Sequence, residues 1–403
     1  MRRSQSLYIF PECIRGVDIG TGASVIYPLL ACSLESEWMM YASDIDELSL
    51  SYARKNIQDN HLQDRIELID ASESHDKPNK PILWPLFLHS NSSFYFTMCN
   101  PPFYGSTEEV ARSAREKALE PSAVCTGADV EMITPGGERN FVLQMVREST
   151  EVQTRCKYYT SMLGKLSSVE AVVGLLKELR ISNYAVTEFA QGQTRRWAVG
   201  WSFTDIRLPD SISRTLNPNP TLQRCLPPHT TIQQPISLSI IPGTSQTDLQ
   251  LKIEEVKKKL KDILGAMDLA ESREDHSEFN NAGIGVSGQE RSLGSCFVVR
   301  VEEDTWSRSA RRKHKQQQQS QVDQMAVDDF ARESEQEPLV KAGIISTIHL
   351  NNEAQEGKEP KGILVEFQWR RGREDDKNRR LFESFCSHVS RKVLPQTGGQ
   401  PTK

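Results

Sequence analysis

The residues that most constrain this chain are Asp18-Ile-Gly-Thr-Gly22, which end a short apolar run, Cys13 to Ile19, and open a stretch of helical character, Ala23 to Leu34. A strand that turns into a helix over two glycines lets the backbone approach a ligand closely, and the helix N-terminus offers it free N–H groups. Val25 stands where a third glycine would complete G-x-G-x-x-G. Trp38 to Ser43 then reads as a second strand, Glu47 to Asp59 as a helix, and Arg65 to Ile69 as a third strand. A fourth, Phe94 to Cys99, is stopped by Pro101-Pro102. Strands alternating with helices at this spacing predict an α/β fold with a parallel, doubly wound sheet. Asn140 to Val152 and Val169 to Leu179 extend it as helices, and Ala185 to Ala190 and Arg196 to Phe203 as strands.

The pattern changes past residue 207. Residues 208–234 are rich in Pro, Ser, Thr and Asn and read as a linker between a first domain, 1–207, and a second, 235–395. In the second, Ile236 to Ile241, Ser295 to Val301, Gly343 to Leu350 and Gly362 to Trp369 read as strands, the last two joined by a polar hairpin-like loop. Thr247 to Leu264 and Asp376 to Val393 read as helices. Residues 316–340, a glutamine run and an acidic stretch, read as a disordered insert in a small α+β module.

Charge and cysteines narrow the class of protein. Acidic side chains outnumber basic ones, 54 to 49, for a net charge of −5, so any nucleic-acid surface must be a local patch. No apolar run approaches the roughly 20 residues needed to span a bilayer, and Pro11, Glu12 and Arg15 interrupt the N-terminal apolar stretch too early for a secretory signal. The 8 cysteines include no C-x-x-C pair, which argues against a zinc ribbon or disulfide framework. The expectation is a soluble intracellular protein with reduced thiols, nuclear or cytoplasmic, with no membrane partner. His61, His75 and His89 match no ligand spacing, so no metal is expected.

Asp44-Ile-Asp46 closes the second strand. An acid there can accept hydrogen bonds from both hydroxyls of a ribose, while Asp46 also fits a helix N-cap. With Asp18, Gly20 and Gly22, this half could hold a nicotinamide nucleotide or S-adenosylmethionine. Asn100-Pro101-Pro102-Phe103 decides between them. The exocyclic amine of a base is a poor nucleophile because its lone pair is delocalised into the ring. The Asn100 side-chain oxygen and the Pro101 carbonyl could each accept one amine hydrogen and localise that lone pair without a general base. The prolines fix φ and hold the carbonyls in place, and Phe103 can stack on a flipped-out base. The tetrapeptide points to methylation of an amino group and leaves the substrate open.

Longer motifs carry a resemblance. Gly16-Val-Asp-Ile-Gly-Thr-Gly-Ala-Ser24, Ile26-Tyr-Pro-Leu-Leu30, Met98-Cys-Asn-Pro-Pro-Phe103, Met162-Leu-Gly-Lys165 and Thr187-Glu-Phe-Ala-Gln-Gly192 followed by Arg196-Trp197 resemble the methyltransferase-like protein 16 family. The similarity runs from about Gly16 to Phe203. It implies a Rossmann-like methyltransferase domain that methylates adenine N6 in structured RNA, U6 small nuclear RNA in particular. It also implies that Gly20, Asp44 and Asn100 contact S-adenosylmethionine, and that Ser74 or His75 closes over the adenosyl group. The family carries an N-terminal module with RNA contacts and a cofactor-binding arginine, which the resemblance leads us to expect missing here or lost with an exon, since fifteen residues precede Gly16. The family also has an arginine where this chain has Gln193.

For RNA phosphates the candidates are Arg112 and Arg115 after the tetrapeptide, with Lys117 beside them, and Lys165 and Arg196 in the family-like segment. In the second module, Arg311 and Arg312 lie in a basic run near Trp306, and Arg370 and Arg371 in another after Trp369. The run near Trp306 could equally be a nuclear localisation signal. Two alternatives stay open: a methyltransferase for another planar amine, DNA adenine or a glutamine amide, and a non-catalytic RNA-binding regulator.

Overall fold

The structure is a computed structural model that describes residues 14–73, 81–110, 132–192, 194–237, 246–275, 296–307, 310, 312, 343–352, 362–373 and 375–394. The chain divides into two compact units, Met1–Thr204 with Ser211–Pro228, and Asp205–Asp210 with His229–Lys403.

In the first unit the strands β1 (Ile14–Ile19), β2 (Trp38–Asp44), β3 (Ile66–Asp70), β4 (Phe94–Cys99), β5 (Cys156–Leu163), β6 (Tyr184–Gln191) and β7 (Thr194–Trp201) form one sheet in the order β3-β2-β1-β4-β5-β7-β6. β1 is buried on both faces, as a central parallel strand must be. A Cβ at Gly16 would come 2.5 Å from Phe96 Cζ and 2.6 Å from Met40 Sδ, so only glycine lets both neighbours pack across β1. Helices α1 (Ile26–Leu34) and α2 (Glu47–Asp59) cover one face, where Val25, Cys32, Ala53 and Ile57 meet Met40, Ala42 and Ile66. On the other, α3 (Trp84–Leu88), α4 (Gly137–Val152) and α5 (Leu166–Glu178) bury Val17, Ile19 and Tyr41. The sheet is therefore doubly wound, the expected Rossmann-like form. It is not parallel throughout, because β7 runs antiparallel to β5 and β6. β5 was not read as a strand from the sequence. Its polar positions are held internally: the Thr160 hydroxyl, for example, donates to the Thr97 carbonyl (2.7 Å).

Residues 208–234, read from composition as a linker, carry α6 (Asp210–Ser213), α7 (Pro220–Cys225) and the start of β8 (Thr231–Ser237). Leu222, Cys225 and Leu226 join the core of the first unit, and the Tyr184 hydroxyl donates to the Leu226 carbonyl (3.2 Å). Pro, Ser, Thr and Asn signal irregular backbone, which need not be unpacked backbone.

The second unit is an antiparallel sheet ordered β8-β12-β11-β10-β9, with β9 (Glu271–Asp275), β10 (Cys296–Val301), β11 (Ile344–Asn352) and β12 (Gly362–Arg371). Helices α8 (Gln246–Gly265) and α9 (Asp376–Val393) close its core, in which Phe382, Phe385 and Val389 of α9 meet Phe367 and Trp369 of β12. Asp375 caps α9 by accepting from Asn378 N (2.7 Å). β9, Glu-Ser-Arg-Glu-Asp, has no apolar residue to announce it. The expected insert, 316–340, the hairpin-like loop between β11 and β12, and residues 238–241 of the strand expected to run to Ile241 lie outside the described residues. Among the described residues no helix is long and apolar enough to cross a membrane.

Candidate active site

β1 and β4 are parallel neighbours, with Asp18 opposite Met98 and Ile19 opposite Cys99. The chain passes from β1 outward to β2 and β3, then returns to β4 on the other side of β1. The carboxyl ends of β1 and β4 thus flank the switch point of the sheet, where open α/β folds bind ligands. The glycine turn and Asn100, some eighty residues apart in sequence, are set side by side by this one register.

Gly20 and Gly22 adopt φ of +69° and +64°, which favour glycine. Gly20 N and Thr21 N both donate to the Ser43 carbonyl (2.9 Å each), tying the turn to the end of β2. A Cβ at Gly20 would meet nothing within 4 Å, so the turn opens on free space. Val25, fully buried with φ +48°, sits at the N-cap of α1 and gives it no side-chain cap. The first N–H groups of α1 therefore face the turn without a capping oxygen.

The two acids of the turn are occupied differently. Asp18 is 1% exposed, and its Oδ2 accepts from the Thr21 hydroxyl (2.8 Å). Burial pushes its carboxyl up to about 6; the Thr21 hydrogen bond opposes this and the nearby Asp44 charge adds to it. Asp44 Oδ2 accepts from Gly22 N (2.8 Å), and Oδ1 from Ile45 N (2.8 Å) and Asp46 N (3.0 Å). A carboxylate offers about four acceptor positions, so Asp44 keeps room for one ribose hydroxyl at Oδ2 rather than the pair expected. Asp46 caps α2 by accepting from Ser49 N (2.8 Å). An open glycine turn, an uncapped helix start and a carboxylate with a spare acceptor suit the ribose and methionyl parts of S-adenosylmethionine.

After β4, Asn100 is exposed, Pro101 buried, and Pro102 and Phe103 half-buried. A frame not read from the sequence holds this segment. Glu109 Oε2 accepts from Gly105 N (2.8 Å), and its Oε1 pairs with Lys165 Nζ. Tyr104 N donates to the Met132 carbonyl (3.0 Å), and Thr134 N to the Tyr104 carbonyl (2.9 Å). Glu138, in the first turn of α4, is 1% exposed and accepts from Gly164 N (2.6 Å) and Lys165 N (2.9 Å). The Arg196 guanidinium lies over the half-buried Phe103 ring at 5.2 Å. Because β7 is antiparallel, with Trp197 opposite Leu163, its first residues share this edge with Gly164 and Lys165. Gly136-Gly137-Glu138 was the signal available in the sequence: two glycines before an acid at a helix start.

The fold thus gathers Asp18, Gly20, Gly22, Asp44, Asn100, Pro101, Pro102, Phe103, Lys165 and Arg196 along one edge of the sheet. Lys165, expected to meet phosphate, is paired with Glu109. Ser74, His75, Arg112, Arg115, Lys117 and Arg311 lie outside the described residues. In the second unit Arg312 is exposed and Arg371 half-buried. Arg370 is 7% exposed and donates to Gln368 Oε1 (2.8 Å), which corrects its reading as an open phosphate contact. Alternation breaks here: the pairing with β11 shifts register between Ile345 and Ser346 and skips Arg370, and residues 367–370 are all buried. Among the described residues no group of three or more His, Cys, Asp or Glu could hold a metal ion.

A doubly wound sheet whose switch point joins an open glycine turn, a ribose-side acid and Asn-Pro-Pro-Phe defines an S-adenosylmethionine-dependent methyltransferase. Residues 4–205 match the family described as RNA methyltransferase, and the chain belongs to that family, the one its motifs resemble. It is 29% identical over 410 residues to the RNA N(6)-adenosine-methyltransferase mettl16 of Danio rerio, covering 96% of this chain and 79% of that one. It is 34% identical over 304 residues to the U6 small nuclear RNA (adenine-(43)-N(6))-methyltransferase of Schizosaccharomyces pombe, covering 75% and 67%. The match to the Homo sapiens RNA N(6)-adenosine-methyltransferase METTL16 is 36% over 204 residues, and the chain spans 35% of that protein. The solved hMettl16 catalytic domain in complex with MAT2A 3'UTR hairpin 1 is 36% identical over 48% of this chain and 64% of its own, with a TM-score of 0.43.

Proposed function

We propose that this chain methylates the N6 amine of an adenosine in structured RNA, with U6 small nuclear RNA as the substrate class, and that it does so in the nucleus. The observation that carries this reading is the register that sets Asn100 beside the glycine turn. Family membership supports the RNA substrate, and the names of the Danio rerio and Schizosaccharomyces pombe relatives support adenine N6.

S-adenosylmethionine supplies an electrophilic methyl group when bound. The turn Asp18–Gly22 and the N-terminus of α1 would hold its methionyl part, and Asp44 Oδ2 would accept from one ribose hydroxyl. The chain's own task is to make the amine nucleophilic. Asn100 Oδ1 and the Pro101 carbonyl each accept one N–H, which draws the amine out of conjugation and aims its lone pair. Two fixed φ angles keep those acceptors from relaxing when substrate arrives. Phe103 stacks on the extruded base, with Arg196 covering its other face. Arg196 adds positive charge at the edge where RNA enters, while Arg195 beside it is paired with Glu188 (3.0 Å).

The test is methyl incorporation into an adenosine-bearing U6-type hairpin, with the product nucleoside identified by mass spectrometry. Asn100→Ala should lower turnover by at least about 100-fold and leave RNA affinity nearly intact, because that affinity comes mostly from phosphate contacts. Transfer to a glutamine amide or to DNA in preference to the hairpin would overturn the substrate. Equal transfer by Asn100→Ala would overturn the mechanism.

A further inference from the structure

Glu138 is a buried carboxylate with no part in the chemistry above, yet both its oxygens are committed. Oε2 accepts from Gly164 N (2.6 Å) and Oε1 from Lys165 N (2.9 Å). Those N–H groups precede α5, whose N-cap residue, Lys165, has no side-chain cap of its own. A carboxylate arriving from α4 therefore fixes the two residues that lead into the helix, close to an N-terminus that favours negative charge.

What Glu138 holds is a wall of the pocket. A Cβ at Gly164 would stand 3.0 Å from Phe103 Cδ1, 3.4 Å from Phe103 Cε1 and 3.1 Å from Glu138 Oε2, so the Gly164 backbone lies beside both ring and carboxylate with no room for a side chain. The residue before Glu138 presses on the same segment. Gly137, at φ +64°, would bring a Cβ to 3.4 Å from both the Phe103 carbonyl oxygen and Gly105 N. Lys165, whose N–H Glu138 binds, sends its ammonium to Glu109, and Glu109 accepts from Gly105 N (2.8 Å). Phe103 to Gly105 is thus held from α4, from the β5–α5 turn and through the Glu109–Lys165 pair, and all three holds meet at Glu138.

We infer that Glu138 is a positioning residue that, through Gly164, sets the plane of the Phe103 ring and hence the angle at which the target base presents its amine. This rests on the reading of Phe103 as the surface on which the base stacks. A ring tilted by a displaced Gly164 still stacks, so binding is kept. The amine, however, leaves the line of its two acceptors, and misplacement by about 1 Å costs on the order of 100-fold in rate. Gly164 is the matching element: a methyl group there would push on the ring directly.

The test uses the full chain with 4-fluorophenylalanine at Phe103, and the variants Glu138→Gln and Gly164→Ala. Glutamine keeps the size of Glu138 but turns one acceptor into a donor facing an N–H. The fluorine NMR line should move in both variants while S-adenosylhomocysteine affinity stays close to wild type and the chain, though it melts a few degrees lower, remains fully folded at the assay temperature. With the hairpin substrate, kcat should fall at least tenfold and KM for RNA change less than twofold. The double variant should lose less than the product of the two single losses. Glu138→Asp, which keeps the charge but is one methylene short, should recover part of the rate. An unmoved fluorine line, or a loss of activity that follows the folded fraction alone, would overturn the inference. The fluorine measurement needs no turnover, so it stands apart from the substrate reading: a wild-type chain inactive on RNA would sink that reading and leave the positioning result to be read directly.

Discussion

In the first unit Arg196 lies over Phe103 at 5.2 Å, and both side chains are half-buried at the edge of the sheet. In the second, Arg207 and Arg379 lie over Trp369 at 5.5 and 5.1 Å, but this ring is 1% exposed and also meets Phe382 at 5.6 Å. The two regions share a chemical signature, arginine against an aromatic ring, and put it to different uses. At Phe103 the ring stays half exposed, where the proposed function needs a base to stack. At Trp369 the rings and guanidiniums complete a core, and the Trp369 indole N–H is spent on the Arg371 carbonyl (2.7 Å). Basic residues beside an aromatic in sequence do not tell these cases apart, because the decision lies in which face of an element meets the sheet below.

The comparison breaks most visibly by truncating the two rings. Trp369→Ala should cost about 3–5 kcal/mol of stability, the range for emptying a buried aromatic site, read as a lower urea midpoint for the second unit. Phe103→Ala should barely move stability, lose roughly 1–3 kcal/mol of base stacking and raise KM for RNA. If the two variants exchanged these signatures, the assignment of edge and core would be reversed.

Titration separates the units by sign. Asp18, raised by burial to about 6, keeps its proton in the folded first unit while the unfolded chain ionises near 4. Stability contributed through Asp18 is therefore greatest at low pH, falls as pH rises between those values, and above them amounts to a standing cost of about 3 kcal/mol. Glu274 in the second unit behaves the other way. Burial raises its carboxyl, but hydrogen bonds and charges from Lys257 and Lys261, each at 2.7 Å, prevail and hold it below the usual range. Its contribution is present at neutral pH and lost on acidification through that lowered value. Urea midpoints across pH 4–6 should flatten in Asp18→Asn for the first unit, and Glu274→Gln should remove part of the acid sensitivity of the second.

The smallest expected effect sharpens the comparison within β12. Arg371→Glu should reduce the slope of log affinity against log salt for RNA by about 1, with the fold intact. Arg370→Glu should instead lower stability, since its side chain is buried against Gln368. Equal salt slopes in wild type and Arg371→Glu would remove this strand from the proposed RNA surface.

Local pattern carried much of the fold because its causes are local. α9 spans Asp376–Val393 as expected, since its apolar residues recur every three or four positions behind an Asp375 cap. The turn at Gly20 and Gly22 was legible because positive φ selects glycine, and the Asn100 tetrapeptide because two prolines end a strand in one way. β9 escaped because its five residues are all polar, and the packing of Leu222 and Leu226 because composition does not record burial.

The sequence by itself determined the doubly wound half, the glycine turn, the acids at Asp18 and Asp44 and the Asn100–Phe103 strand end, because each depends on φ preference, periodicity or residue chemistry within a few positions. Only the tertiary structure decided that Glu109 and Glu138 frame the pocket, that Lys165 is already paired, and that Arg370 is interior while Arg371 is not. These are contacts between residues up to 56 positions apart, or the outcome of a register irregularity in one strand. They are set by strand order, register and its local irregularities, which no short stretch of sequence contains.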